Sequence, residues 1–369
     1  MRLALALAWR GWGRVHPNPM VGAVVLAGEQ SIAEGWHEEF GQPHAETVAL
    51  ESAGRRANGA TLVVTLEPCN HEGKQPPCVD AILRAGIRRV VFGANDPSPA
   101  ARGGALRLSA AGLEVTTLPV AQEVRDQNPV FFHGLEDGGR PYVALKLATS
   151  VDGRVADYTG RSRWISGPAA REWVHWLRAG FDAIGVGGRT ARTDDPTLTV
   201  RGRVTPRVPP RRIVFDRRGD LSGATRLLGT AREIPVTVVV ETPAPGDVVN
   251  ALSASGIEVL ACWGLPDALV RLRDSGIGSL LVEGGGRLAA RLFAEGLIDR
   301  FYWVQSPIWL GEDGLHAFGG LPSPLLEQAE RWRVIERREL GEDTLLVLSH
   351  PMADGGPQSD RETAISASP

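Results

Sequence analysis

Two of the chain's three cysteines, Cys69 and Cys78, stand nine positions apart in LEPCNHEGKQPPC, residues 66–78. Upstream, PHAETVAL places His44 at the start of an expected helix, with Glu46 two residues on. One imidazole and two thiolates are soft or borderline donors, which suits a tetrahedral zinc whose fourth position is left to water. Such a site lowers the pKa of its water to about 7. A carboxylate at Glu46 can take that proton and hand it to a leaving amine. Zinc-dependent base deaminases carry H-x-E and then P-C-x-x-C. HAE and Pro68-Cys69 match, and the second cysteine arrives six residues late.

Blander readings stand beside this one. His and Glu share many solvated helix faces. Two cysteines can be half of a structural zinc site, which then needs a fourth protein ligand, and His71 is the nearest rival. A disulfide is disfavoured by the sparse, odd cysteine count, which fits a reducing compartment. The joint placement favours catalysis: His at a helix start, one Cys at a strand end, one Cys at the next helix start.

Two later stretches gather polar residues where strands should end. One is LKLATSVDGRVADYTGRSRWIS (145–166); the other is GSLLVEGGGRLAARLFAEG (278–296), a strand, an acid, three glycines and a helix from about Arg287. Glycines there let backbone N–H groups approach a phosphate at a helix start. The pattern is not G-x-G-x-x-G, and a plain strand-to-helix turn is an equal reading.

The elements that must hold these residues alternate. Strands are expected at 20–28 and 31–37 as a hairpin around Gly28, then at 61–67, 88–94 and 113–117, with helices at 44–57, 78–86 and 104–112. A turn-rich break at 134–142 interrupts them. A second α/β series follows, with strands at 142–148, 181–187, 211–216, 235–240, 278–284 and 343–349. Residues 351–369 are poor in large apolar groups and read as a disordered tail. MRLALALAWRGW is too short an apolar run for a signal peptide and has no cleavage site after it. Leu3, Leu7 and Trp9 or Arg10 mark a short amphipathic helix instead. No apolar run approaches the roughly 20 residues of a membrane span. The formal net charge of −3 over 369 residues gives no electrostatic reason for nucleic acid or a membrane surface as partner. The expectation is a cytoplasmic, two-domain protein.

HPNPMVGAVV, PHAETVAL, TLEPCNHEGKQPPC and GANDPSP together resemble the deaminase half of the bifunctional riboflavin biosynthesis deaminase/reductase family. That resemblance implies zinc on His44, Cys69 and Cys78, proton transfer by Glu46, and substrate contacts from Asn18, His37, His71 and Lys74. Asn18 suits a pyrimidine edge and Lys74 a phosphate, although Pro-Asn-Pro is also ordinary turn chemistry. Lys146–Arg154, Ser162–Ser166, Asp194–Arg201 and Val282–Gly285 resemble the reductase half. The implied architecture is a cytidine-deaminase-like α/β/α domain over 1–138 and a dihydrofolate-reductase-like α/β domain over 139–350. By position, Ser162, Arg178, Leu198, Arg201 and Glu283 would line the ribose-phosphate pocket, Arg178 and Arg201 as phosphate clamps. NADPH would meet Ala148, Trp164, Thr190, Asp194 and the turn Gly285, Gly286, Arg287, Leu288, Ala289, Ala290, Arg291. Lys146 and Asp194 are the candidates for supplying a proton beside the hydride.

Several positions depart from the family pattern. Ser98 replaces an asparagine, AARGG (100–104) is one residue shorter than usual, and Gln75 replaces a threonine. Gly187-Gly188-Arg189-Thr190 carries an arginine where a glycine is usual, and Arg217-Arg218 follows VFD. Arg217 is expected to favour NADPH over NADH. The reading is thus hydrolytic deamination of a diamino-ribosylamino-pyrimidinone phosphate, then NADPH-dependent reduction of its ribosyl chain. A small-molecule substrate is the partner, and a homo-oligomer stays open. The rivals are a monofunctional deaminase with a non-catalytic second domain, a nucleic-acid-editing deaminase, which the acidic balance disfavours, and a non-enzymatic zinc scaffold.

Overall fold

The computed structural model describes residues 1–351 except 137, 223 and 245. Apart from Pro351, the expected tail lies outside these residues. The first half contains α1 (Arg2–Ala8), β1 (Gly22–Ala27), β2 (Gln30–Trp36), α2 (Ala45–Ala53), β3 (Thr61–Leu66), α3 (Cys78–Arg84), β4 (Arg89–Ala94), α4 (Gly104–Ala110), β5 (Glu114–Thr117), α5 (Ala121–Gln127) and α6 (Pro129–Glu136). Its five-stranded sheet runs β2-β1-β3-β4-β5. The hairpin β1–β2 and the pair β1–β3 are antiparallel, whereas β3, β4 and β5 are parallel. Gly28 takes φ +59° at the hairpin turn, a region open to glycine at little cost. Ala23 and Val25 of β1 and Leu62 and Val64 of β3 fill one core with Ala49, Ala53, Val79, Ile82 and Leu108 of the helices.

One helical expectation changes in detail. Ala4, Leu7 and Ala8 are the buried stripe of α1, while Leu3 and Trp9 are more than two-fifths exposed. The reason is close approach: a Cβ on Gly22 would stand 2.0 Å from the Ala4 carbonyl, so α1 presses its small residues onto β1.

The second half contains β6 (Tyr142–Ser150), β7 (Arg154–Ala156), α7 (Pro168–Arg178), β8 (Ala183–Gly187), α8 (Gly188–Asp194), β9 (Arg211–Phe215), α9 (Thr225–Gly229), β10 (Val236–Glu241), α10 (Gly246–Ala254), β11 (Glu258–Cys262), α11 (Leu265–Asp274), β12 (Ser279–Glu283), α12 (Gly286–Ala294), β13 (Arg300–Ser306), β14 (Leu315–His316), β15 (Arg333–Leu340) and β16 (Asp343–Ser349). The nine-stranded sheet runs β11-β10-β9-β8-β12-β6-β13-β16-β15. Strands β11 to β13 in that order are parallel, and β16 and β15 continue it antiparallel. The chain steps outward from β8 to β11 and returns to insert β12 between β8 and β6. Such a reversal opens a crevice beyond the carboxyl ends of the strands.

The halves touch through aromatic and ionic contacts. Trp12 stacks on Trp176 at 4.7 Å between centroids, and its indole N–H donates to the Trp176 carbonyl at 2.7 Å. Asp126 on α5 accepts from Arg333 at 2.6 Å and from Arg300 at 3.5 Å.

Candidate active sites

His44 caps α2 in extended conformation, Cys69 follows the end of β3, and Cys78 is the first residue of α3. These ends meet. Their donor atoms all lie within 4.8 Å of one another. His44 Nδ1 is 3.6 Å from Cys69 Sγ and 3.3 Å from Cys78 Sγ. Zn–S and Zn–N bonds of about 2.3 and 2.0–2.1 Å at tetrahedral angles put N and S about 3.5 Å apart, so the donor set fits zinc. Both cysteines are buried and unpaired. Cys78 and His44 hydrogen-bond the Cys69 sulfur and lower its thiol to about 4. That bond, with burial, drives the Cys78 thiol up. Binding a metal between them would require both thiols to lose their protons.

Glu46 follows on the first turn of α2 and is 4% exposed; burial pushes its carboxyl up to about 7. His37 is buried, with Nδ1 3.1 Å from the Pro43 carbonyl and Nε2 3.2 Å from the Asn18 amide nitrogen. The carbonyl requires a proton on Nδ1, which leaves Nε2 to accept from Asn18. His71 holds a buried Nδ1 without a protein partner, and the Lys74 ammonium lies over the Phe40 ring at 4.0 Å. Gln75, the unusual residue, donates to the Gly41 carbonyl at 2.9 Å, tying the cysteine loop to the 37–44 loop.

Sequence reading missed Glu67. It is buried, and its carboxylate accepts from the backbone N–H of Asp96, Gly103 and Ala105 at 3.2, 3.1 and 2.9 Å. The acid of LEPC therefore holds the shortened 96–104 loop against the metal strand. Its place just before Pro68-Cys69 was the available signal.

The second site is a cleft of about 1720 Å³ at the carboxyl ends of the parallel strands. A single drug-sized ligand needs roughly 300–1,000 Å³, so a dinucleotide and a sugar phosphate have room together. Lys146, Ala148, Ser162, Trp164, Arg178, Thr190, Asp194, Leu198, Arg201, Arg217, Glu283, Gly285, Gly286, Arg287, Leu288 and Arg291 all line it. Ala289 and Ala290 do not; the helical period buries them away from it. Strand register sets Lys146 beside Glu283 across β6 and β12. Burial lowers the Lys146 pKa, partly offset by Glu283. Arg178 forms a fork to Glu283 at 2.6 and 2.9 Å and donates to the Thr199 carbonyl at 2.9 Å. Its donors hold protein first, so as a phosphate clamp Arg201 is the freer of the two. Ser162 donates to Asp194 at 3.3 Å. Arg217 is largely exposed, and both it and Arg291 approach Glu241, at 3.9 and 3.7 Å. His175, unremarked in the sequence, also lines the cleft, with a buried Nδ1 lacking a partner.

The glycine triplet has steric reasons of its own. Gly284 and Gly285 take φ +80° and +86°, and a Cβ on Gly286 would meet the His316 carbonyl at 2.6 Å. Gly285 caps α12, so backbone N–H groups of its first turn are the ones a cofactor phosphate can use. Gly188 is equally constrained, since a Cβ there would fall 1.8 Å from Asp216.

Together the fold and sites define a two-part α/β protein with a zinc-deaminase donor set in one half and a nucleotide-sized reductase cleft in the other. The family described as the cytidine and deoxycytidylate deaminase zinc-binding region matches residues 1–94, and the RibD C-terminal domain matches 141–346. The riboflavin biosynthesis protein RibD of Aquifex aeolicus is 40% identical over 94% of this chain and 96% of its own. RibD of Escherichia coli is 37% identical over 94% and 98%. A solved Thermotoga maritima diaminohydroxyphosphoribosylaminopyrimidine deaminase/5-amino-6-(5-phosphoribosylamino)uracil reductase superposes with a TM-score of 0.80, at 35% identity over 95% of this chain and 97% of its own. The chain belongs to the RibD family of riboflavin biosynthesis proteins.

Proposed function

We propose that the chain catalyses two successive steps of riboflavin biosynthesis. The first half, 1–138, hydrolyses the 2-amino group of 2,5-diamino-6-ribosylamino-4-pyrimidinone 5'-phosphate. The second, 139–350, reduces the ribosyl side chain of the product to ribityl. The observation that carries the reading is the His44, Cys69 and Cys78 donor triangle with Glu46 buried beside it. Zinc held by those three residues supplies a Lewis acid that makes water acidic near neutral pH. Glu46 carries a proton from the attacking water to the departing amine. Asn18 and His37, joined by a hydrogen bond, orient the pyrimidine, and His71 and Lys74 face its sugar-phosphate end.

Thr190, Gly285, Gly286, Arg287, Leu288 and Arg291 would hold NADPH, which would supply the hydride in the second half. Lys146 and Asp194 hold the accompanying proton. Glu283 holds Arg178, and Arg201 and Ser162 bind the phosphate. A cytoplasmic setting agrees with three cysteines that are all free.

A coupled assay on the diamino substrate, with and without NADPH, tests the reading. Glu46→Gln should lose deamination by at least about 10²-fold while still reducing the deaminated intermediate. Retained deamination in that variant, or no NADPH consumption by wild type on the deaminated intermediate, would refute the corresponding half.

A further inference from the structure

The segment after Leu198 leaves the reductase cleft and crosses to the first half. Leu198 and Arg201 line the cleft. Six residues on, the Arg207 N–H donates to the Gly13 carbonyl at 3.0 Å, and its guanidinium donates to the His16 carbonyl at 2.9 Å. Arg14 returns a bond to the Thr205 carbonyl at 3.5 Å. The strip it docks on, Gly13 to His16, runs directly into Asn18.

So held, the Arg207 guanidinium lies 5.0 Å from the centroid of Phe40, the same ring that carries the Lys74 ammonium at 4.0 Å. Phe40 stands midway along the loop that joins His37 to the metal ligand His44. Its N–H donates to the Arg14 carbonyl at 3.2 Å, and the neighbouring Gly41 carbonyl accepts from Gln75. Two hydrogen bonds from the first half thus fix this loop, and Arg207 from the second half reaches its ring.

Two cations share this ring, and like charges so placed repel unless an anion lies between or beside them. Of the loop's two acids, Glu39 is paired with Arg14 and Glu38 is exposed to solvent. Among the described residues neither Lys74 nor Arg207 is in an ion pair. A phosphate monoester suits the chemistry of each: Lys74 offers a point charge, Arg207 a planar fork of donors.

We propose that Arg207, carried by the reductase half, completes the 5'-phosphate subsite of the deaminase beside Lys74. This rests on the deaminase reading above. It makes the first active site incomplete without the second half, and gives the departure of Gln75 a use in fixing the loop.

Steady-state deamination by the zinc-loaded full chain tests it, using the phosphorylated substrate and its phosphatase-treated riboside. Arg207→Gln should raise KM for the phosphorylated substrate about tenfold, the loss of one charge-assisted contact, with kcat within about twofold. On the riboside, variant and wild type should coincide, and reduction of the deaminated intermediate should be unchanged. Inorganic phosphate should inhibit the variant about tenfold more weakly. An unchanged KM, or equal losses on both substrates, overturns the proposal, the second because it marks a packing role. If Lys74→Gln erases the preference for phosphate and Arg207→Gln does not, the loop still binds phosphate and the Arg207 assignment falls. Wild type inactive on both substrates would sink the deaminase reading itself.

Discussion

Among single residues, the pair Arg178–Glu283 controls the reductase wall. Burial alone would lift the Glu283 pKa, but the Arg178 charge and its hydrogen bonds outweigh that and hold it below the ordinary 4.5. Both side chains are 12% exposed. Removing one partner of a buried pair leaves the other charge uncompensated, at about 3–5 kcal/mol; slight exposure argues for the lower end. Arg178→Ala should therefore lose about 3 kcal/mol in urea unfolding at pH 7. The pH sign follows from the depressed folded pKa. Glu283 contributes fully above 4.5 and loses its contribution as pH falls through the lowered folded value. A Tm scan from neutral into acid should fall more steeply for wild type than for Glu283→Gln. Parallel acid limbs would show that the pair does not set this titration. Lys146 sits across the register from this pair, so the same measurement reports on the field around the expected proton donor.

Among elements, the strand-to-helix junctions set the metal geometry, and Gly104 guards one of them. It is the first residue of α4, and an added Cβ would stand 1.8 Å from the Pro68 carbonyl, one residue before Cys69. Backbone meets backbone there, so no side-chain rotation relieves the clash. Gly104→Ala should drop zinc below one per chain by metal analysis and cut deamination at least about tenfold, with NADPH-dependent reduction intact. Full zinc content in that variant would show that the loop moves without the cysteine. This junction also shows what was legible in the sequence. HAE, Pro68-Cys69 and Cys78 announced themselves because local chain geometry alone sets each at an element's end. The strands with clear apolar runs, β1, β3, β6 and β12, could be read the same way. Strand β15 could not: RVIERREL is charged along most of its length because it is the exposed edge of the nine-stranded sheet, where charge guards against pairing with other chains. Leu3 misled because its neighbours Ala4 and Ala8, small enough to touch β1, took the buried face. Glu67, His175 and Arg207 were hidden for another reason. Glu67 and Arg207 hold segments distant in sequence, and His175 reaches the cleft only through the packing of α7; apart from Glu67's place before Pro68-Cys69, no local pattern encodes this.

Across the whole molecule, the question is whether the halves unfold as one body. Trp12 reaches from the first half onto Trp176 of α7, with Trp9 at 5.7 Å and Trp173 at 6.5 Å from that same ring. The fit is tight, since any side chain on Gly180 would fall 2.1 Å from the Trp12 indole. His16 pairs with Asp182 at 3.2 Å just beside it. On the far side, Asp126 gathers Arg300 and Arg333. Buried Trp→Ala substitutions cost about 3–5 kcal/mol in full cores; Trp12 is half-buried, so about 2 kcal/mol is expected. Trp12 packs on the α7-side core of the second half and on Ala8, Val15 and Met20 of the first, so that loss is shared between the contact of the halves and the first half's own packing. Calorimetry should then show one transition in wild type and two in Trp12→Ala. Chelating zinc should lower only one of those two, the half that contains His44, Cys69 and Cys78, whereas in wild type it should shift the single transition. A single transition that survives Trp12→Ala, and still moves as one with chelation, would place the coupling on the Asp126 side instead. The same substitution should weaken the docking of the 205–207 segment, since Gly13 and Arg14, which anchor it, adjoin Trp12 in the chain. Weakened docking should appear as a higher deaminase KM at unchanged zinc content.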